Sequence, residues 1–386
     1  MNNNYTIIII GEWESDNLGD KTLCTTYENL LKYLYPNIKT IRLDISSQLG
    51  VSFTKRILGK ILLKFSLYFP SFYTLAKNYN EHITQYSQYK ILNNILKKEE
   101  NYVATVAGGA LIQDYFAPSL SVIGELLEMH NIPIIYNALG IGSIQQKSSK
   151  EIFITLLNRK NIKGISTRDN LKELNFTQIP IKKIPDIAIL CSNYYHCTKS
   201  EQKQIGFGVI DPYLYLKYSH DSTIKTIEEY DNLIISIIKK IYIECKLPIH
   251  LFSNGSKKDY LYAVKLCKKI GYQNVIVSPR PKNDLELISL INNFTFIFAH
   301  RLHASIIAYS FDIPTYGILW DMKVKYWNDL ILNKNYGNLS SILNIDLIKL
   351  INKKQSDEMK KQKLELSQTI IQNIKYDLDQ IFCNNS

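Results

Sequence analysis

The stretch FTFIFAHRLHASIIAYSFDIP, residues 294–314, decides how the chain is read. Its opening run, 294–300, is almost entirely apolar and β-favouring, the composition of a strand buried on both faces, as in parallel sheets. Ala304, Ser305 and Ala308, beside Ile306 and Ile307, then suit a helix packing closely on that sheet. Arg301 and His303 therefore fall at a strand-to-helix junction. In open α/β sheets ligands collect at the carboxyl ends of strands, and a helix N-terminus there adds free amide donors and partial positive charge. The pair asks for an anion.

The same pattern recurs along the chain: a short apolar run, a Gly- or Pro-marked turn, then a helical stretch. Strands are expected at 5–10, 40–43, 102–106, 132–136, 164–166 and 183–184, and a second series at 205–210, 249–252, 275–277, 294–298 and 315–319. Such alternation indicates parallel sheets covered by helices. A chain of 386 residues is also long for one domain, and two of about 150–200 residues are the natural expectation. The periodicity lapses between residues 186 and 204, which sets the boundary. The expected organisation is an N-terminal Rossmann-like domain over 1–195 and a C-terminal one over 200–345. A charged, helical segment over 346–386 crosses back to the first. The fold class is α/β, two Rossmann-like domains with parallel sheets facing a cleft, as in the glycosyltransferase-B architecture.

Composition removes several function classes. No run of eighteen apolar residues appears, and the start, MNNNYTIIII, has neither a basic leader region nor a cleavage site, so a cytoplasmic chain is expected. The six cysteines form no CxxC pair, and the nearby Cys191, His196 and Cys197 are too isolated a group to indicate a metal. The net charge of +11 points to anionic partners. Nucleic acid ranks last among these, because the lysines are dispersed and no binding motif is present.

Residues 53–69, FTKRILGKILLKFSLYF, depart from the pattern. Arg56, Lys60 and Lys64 recur every four residues, and Ile57, Ile61 and Phe65, with Leu58 and Leu62, form the opposite face. Two readings stand: a basic amphipathic helix lying on an anionic membrane surface, or an ordinary helix packed on the sheet with a solvated basic face.

The remaining strand ends carry a consistent set of residues. Asn17 and Gly19 make a turn after the first strand, with Asp20 placed to cap the helix that follows. The spacing is not a dinucleotide fingerprint, so no nicotinamide cofactor is expected. Gly108 and Gly109, followed by Asp114, and then Gly140 and Gly142, either let a ligand approach the backbone or simply make tight strand-to-helix turns. Arg168 stands at a strand end with Asp169 placed to cap, and Asp186 closes the first series. In the second series Ser253, Asn254, Gly255 and Arg280 hold strand ends, and Asp321, Lys323 and Lys325 follow the last strand. Arg168, Arg301, His303, Lys323 and Arg280 together suit a small, highly charged anion, since arginine binds carboxylate or phosphate through two parallel bonds.

With these residues in view the chain resembles the polysaccharide pyruvyl transferase family. The resemblance rests on NLGD at 17–20, AGGALIQD at 107–114, ALGIGS at 138–143, STRD at 166–169, IPD ending at Asp186, and HRLHASIIAYSFDIPTYGILWDMKV at 300–324. The blocks fall in the family's order, and the last is the most specific. Ala110 departs from it, standing where many members carry a third glycine. The resemblance implies an enzyme that moves the pyruvyl group of phosphoenolpyruvate onto sugar hydroxyls as a cyclic ketal, with phosphate released, in surface polysaccharide biosynthesis. It implies that Arg168 and Arg301 bind the donor and that His303 is the motif histidine. No cofactor beyond the donor is implied. The acceptor would be a lipid-linked, nucleotide-linked or polymer sugar. A glycosyltransferase using a nucleotide-sugar donor is the alternative, because the same architecture serves that reaction and fold does not fix function.

Overall fold

The computed structural model describes residues 5–45, 53–66, 69–98, 100–219, 221–352 and 356–384. Residues 67–68 of the expected surface helix, and 353–355 and 385–386 of the expected C-terminal segment, lie outside the described residues. The chain divides into two compact units: residues 1–15, 27–186 and 369–386 form unit 1, and residues 16–26 and 187–368 form unit 2.

Among its described residues unit 1 is built on seven strands: β1 (Tyr5–Gly11), β2 (Lys39–Asp44), β3 (Asn101–Val106), β4 (Gly109–Ile112), β5 (Ile134–Ile141), β6 (Ile162–Thr167) and β7 (Ile181–Lys183). The order is β2-β1-β3-β5-β6-β7, with β4 paired to β5, and every pairing is parallel. β1 lies between β2 and β3, and its Ile7, Ile8, Ile9 and Ile10 are wholly buried, as a continuous β-branched run requires when helices cover both faces. The helices are α1 (Leu18–Leu34), whose first turns belong to unit 2, α2 (Phe53–Ser66), α3 (Tyr73–Leu96), α4 (Ala117–Met129) and α5 (Lys147–Leu156).

Unit 2 carries β8 (Ile205–Gly208), β9 (Ile249–Phe252), β10 (Val275–Val277), β11 (Phe296–Ala299), β12 (Thr315–Ile318) and β13 (Tyr336–Gly337) in the order β10-β9-β8-β11-β12-β13, again all parallel. This is the dinucleotide-fold order 3-2-1-4-5-6, whose reversal lies between β8 and β11. Its helices are α6 (Pro212–Tyr218), α7 (Ile227–Cys245), α8 (Lys257–Ile270), α9 (Asp284–Asn292), α10 (Leu302–Ser310), α11 (Met322–Leu330), α12 (Leu347–Ile351) and α13 (Asp357–Asn384), the last ending in unit 1. Local signals set their limits. Thr226 and Glu229 form a reciprocal capping box on α7, and Ser256 caps α8, which Gly271 closes in the left-handed conformation at φ +68°. One core packs Phe207, Phe298 and Tyr316 against α7 residues such as Ile234 and Ile238. Another packs Phe252, Phe294 and Ile297 against Ile307 of α10.

Two strands fall outside the expected set. β4 starts on Gly109, at φ +95°, and pairs with β5 through a register shift, where the glycine pair alone reads as a turn. β13 is only two residues long, too short for any periodicity.

Candidate functional site

The switch point of unit 2 gathers most of the motif residues. β11 ends at Ala299, opposite Gly208 of β8, and the chain then turns through His300 and Arg301 into α10. His300 is wholly buried. Its Nδ1 lies 2.7 Å from the Gly208 carbonyl and its Nε2 3.1 Å from the Tyr230 hydroxyl. A neutral ring donating from Nδ1 and accepting at Nε2 satisfies both contacts, and burial pushes its pKa down to about 4. Trp320 Nε1 donates to the His300 carbonyl at 2.5 Å, tying the end of β12 to the same turn.

Arg301 occupies the N-cap position of α10, and its side chain makes no capping hydrogen bond. Its Nε and Nη2 donate to Asp259 Oδ2 at 2.9 and 2.8 Å. Asp259 is wholly buried and also accepts the Asp211 amide at 2.9 Å. One edge of the guanidinium is thus fixed by a buried carboxylate.

His303, in the first turn of α10, is buried against the start of α1. Its Nδ1 lies 3.4 Å from Asp20 Oδ1, and Asn17 Nδ2 donates to Asp20 Oδ2 at 2.7 Å. Asp20 is therefore not the N-cap suggested by sequence. It lies inside the first turn of α1 and orients an imidazole. A Cβ on Gly19 would come within 2.3 Å of His303 Cβ, so the glycine of NLGD is there to admit the histidine.

The neighbouring strand ends support this junction. The Asn254 carbonyl accepts the Leu18 amide at 2.8 Å, and Gly255, at φ +104°, lets the chain pass against Asp16 and Leu18. Arg280 Nε donates to the Gly255 carbonyl at 2.6 Å and its Nη2 lies 3.8 Å from Asp16 Oδ1, so this cation clamps the loop. Ser253 Oγ and Asn254 Nδ2 are buried with no hydrogen-bond partner among the described residues, which is costly unless a ligand or water completes them. Lys323 is half-buried in the first turn of α11, its amide held by Asp321, the N-cap.

The other motif residues belong to unit 1. Arg168 follows β6, is 8% exposed, and forms a buried ion pair with Asp186. A Cβ on Gly140 would come within 2.8 Å of Arg168 Nη2, so that glycine makes room for the guanidinium. Asp169 does not cap a helix: it accepts the Ile141 amide at 2.7 Å, while Asn170 caps a short 3-10 turn by accepting from Lys172. Asp114 accepts the Gln145 and Gln146 amides, at 2.9 and 3.3 Å, and braces the loop after β5. A Cβ on Gly142 would meet Gln113 at 2.8 Å. Gly108 and Gly109 have φ of +102° and +95°, and a Cβ on Gly109 would meet only Leu111 and, at 4.0 Å, Glu12 Oε2. Beside them Ala138 is left-handed at φ +43°, rare for a residue with a Cβ and a mark of a backbone held for a purpose.

The polysaccharide pyruvyl transferase family model matches residues 5–322, most of the chain. The protein belongs to the polysaccharide pyruvyl transferase family. Its motif blocks account for the strand ends just described. Among solved structures it is similar to the α,α-trehalose 6-phosphate synthase of Burkholderia multivorans (8% identity, 99% of this chain and 100% of that one, TM-score 0.57). It is also similar to S. aureus MnaA solved with UDP (12%, 97% of each chain, TM-score 0.55) and to the UDP-GlcNAc 2-epimerase of Methanocaldococcus jannaschii in complex with UDP-GlcNAc and UDP (11%, 96% and 99%, TM-score 0.50). At such identities the likeness is one of fold, and the fold of this pyruvyl transferase family member is glycosyltransferase-B-like. No curated protein sequence matches it significantly. Among the described residues no group of three His, Cys, Asp or Glu side chains is placed to hold a metal ion.

Two residues of this site escaped the sequence. Asp259 reads as an ordinary first-turn acid of α8, and His300 as the last residue of a buried strand. Only their contacts show that they set the pose of the Arg301–His303 segment.

Proposed function

We propose that this enzyme transfers the pyruvyl group of phosphoenolpyruvate to two hydroxyls of a sugar as a cyclic ketal, with inorganic phosphate as the second product. The observation that carries this reading is the pair at one helix start: Arg301 braced by buried Asp259, and His303 braced by Asp20. A phosphate group would meet the Nη1 edge of Arg301 and the first-turn amides of α10. The proposal extends a carboxylate-binding role to Arg168 on the strength of its sequence motif.

The chemistry asks for one proton to be delivered to the methylene carbon of the donor, which leaves a cationic centre at its neighbour. One sugar hydroxyl then adds and loses its proton. Phosphate departs with its electron pair, and the second hydroxyl closes the ring and loses its proton. One proton remains on the methyl carbon and the other leaves with phosphate and solvent. His303, beside Asp20, would be the group that gives or takes a proton. Arg301 would stabilise the charge gathering on the departing phosphate. The acceptor is a lipid-linked, nucleotide-linked or polymer sugar of a surface polysaccharide, and the reaction belongs to the cytoplasm.

Acceptor-dependent release of phosphate from phosphoenolpyruvate tests the reading, with His303→Gln expected to lower turnover by about 10²–10⁴-fold. The second reading, a nucleotide-sugar donor, draws on the UDP-bound structures of the same fold and on the unpaired Ser253 and Asn254 atoms. Turnover of a UDP-sugar with none of phosphoenolpyruvate would establish it instead.

A further inference from the structure

The helix α2 of unit 1 does not bury its apolar stripe. It packs on α3 where Gly59 is buried and Asn80 Nδ2 donates to the Gly59 and Ala76 carbonyls at 3.1 and 2.7 Å. A Cβ on Gly59 would come within 2.4 Å of the Asn80 side chain, so the close approach fixes which side faces inward. Ile57, Leu58, Ile61 and Phe65 remain 39–56% exposed. The patch continues through Phe69 and Phe72, 50% and 45% exposed, whose rings gather with Phe65 at centroid separations of 4.5–6.5 Å. A contiguous exposed apolar surface of this kind marks an interaction site.

Charge identifies the partner. Lys60 and Lys64 are exposed and border the stripe, one helical turn apart. From Asp44 to Glu81 the intervening sequence contains no Asp or Glu, and it contains Lys55, Arg56, Lys60, Lys64 and Lys77. A second copy docked on the same face about a two-fold axis would set these cations against themselves. An acyl surface rimmed by anionic headgroups satisfies both the apolar stripe and the lysines. No helix of the described residues is long and apolar enough to cross a membrane, and a 14-residue helix is the right kind of element to lie within the interface plane.

We infer that α2 and the 3-10 turn Pro70–Phe72 form a docking surface for an anionic lipid bilayer, with Ile57, Ile61 and Phe65 entering the acyl boundary and Lys60 and Lys64 at the headgroups. The assignment goes beyond the transferase reading and holds whichever donor the enzyme uses. The test is flotation of the whole protein with vesicles of phosphatidylcholine alone or with about a third phosphatidylglycerol. Binding to the anionic vesicles is expected, weakening with salt. At roughly fivefold per surface-held cation, Lys60→Gln/Lys64→Gln should lower it about thirtyfold. Ile61→Ser/Phe65→Ser should also release the protein although its charge is unchanged, and melting curves of both variants should match the parent because these side chains are exposed. Equal binding to both vesicle types, or binding indifferent to either pair, overturns the inference. So does failure to bind vesicles together with a concentration-dependent dimer that Ile61→Ser/Phe65→Ser abolishes, which would make the face a self-association surface.

Discussion

The two units reverse their strand order at comparable points and furnish those points with opposite chemistry. In unit 1 the reversal lies between β1 and β3, where Glu12 follows one strand and Gly108 and Gly109, both at positive φ, follow the other. In unit 2 it lies between β8 and β11, where His300, Arg301 and His303 follow β11. Parallel sheets dictate where a ligand collects and leave its nature to a few side chains at the strand ends. The end of unit 2 is cationic, the chemistry that holds an anion. The contrast also covers the two motif arginines: the Arg168 side chain is 6% exposed against Asp186, whereas the Arg301 side chain is 20% exposed with one edge turned from its carboxylate.

That contrast can be broken by substitution. The largest effect is expected at Arg168→Ala, which removes the buried ion pair with Asp186 and should cost about 3–5 kcal/mol in urea unfolding. Arg168→Met/Asp186→Leu should recover most of that stability without recovering turnover. Full turnover in this double variant would reduce Arg168 to a structural residue and leave unit 2 as the only anion site of the account.

Acidification should strike unit 2 through His300. Its folded pKa of about 4 lies below the ordinary 6.5, so the folded state binds fewer protons than the unfolded one between those values. The stabilisation is complete above about pH 6.5 and is lost as pH falls towards 4, up to about 3 kcal/mol for this group. His300→Gln should flatten that limb of the stability profile, and an unchanged limb would assign it to the carboxylates.

A smaller effect is expected at Asp20→Asn, which removes the charge facing His303 Nδ1. At on the order of 2 kcal/mol for a partly screened ion pair at 3.4 Å, turnover should fall roughly 10–100-fold with little change in donor affinity. A loss confined to donor affinity would move Asp20 out of the proton-transfer arrangement. The smallest is Gly109→Ala in unit 1. It meets no close neighbour but forces a Cβ into φ +95°, costing about 1–2 kcal/mol of stability and leaving donor binding intact.

The sequence revealed most of the strands because parallel strands are near-continuous apolar runs: β9 and β10 match the expected limits, and β1 and β3 differ from them by one residue. β4 was hidden because glycine at positive φ reads as a turn, and only the pairing with β5 makes it a strand. At the site, Arg301 and His303 stood out because cations at the end of an apolar run need a reason. Asp259 did not, since a first-turn acid is ordinary and its partner lies 42 residues away in sequence. Asp20 was legible as a polar residue at a helix start, but its role depended on α10 packing against Gly19, a tertiary contact that local pattern cannot report. The apolar stripe of α2 was legible from its periodicity, while its exposure was not.

The central claim is that the β11–α10 junction of unit 2 holds phosphoenolpyruvate. Calorimetric titration of the purified protein with phosphoenolpyruvate, repeated on Arg301→Lys, tests it most directly. Lysine keeps a positive charge for Asp259 but loses the planar fork, so the dissociation constant should rise at least about tenfold. Equal affinity in the two proteins, or binding of a UDP-sugar with no binding of phosphoenolpyruvate to either, would contradict it.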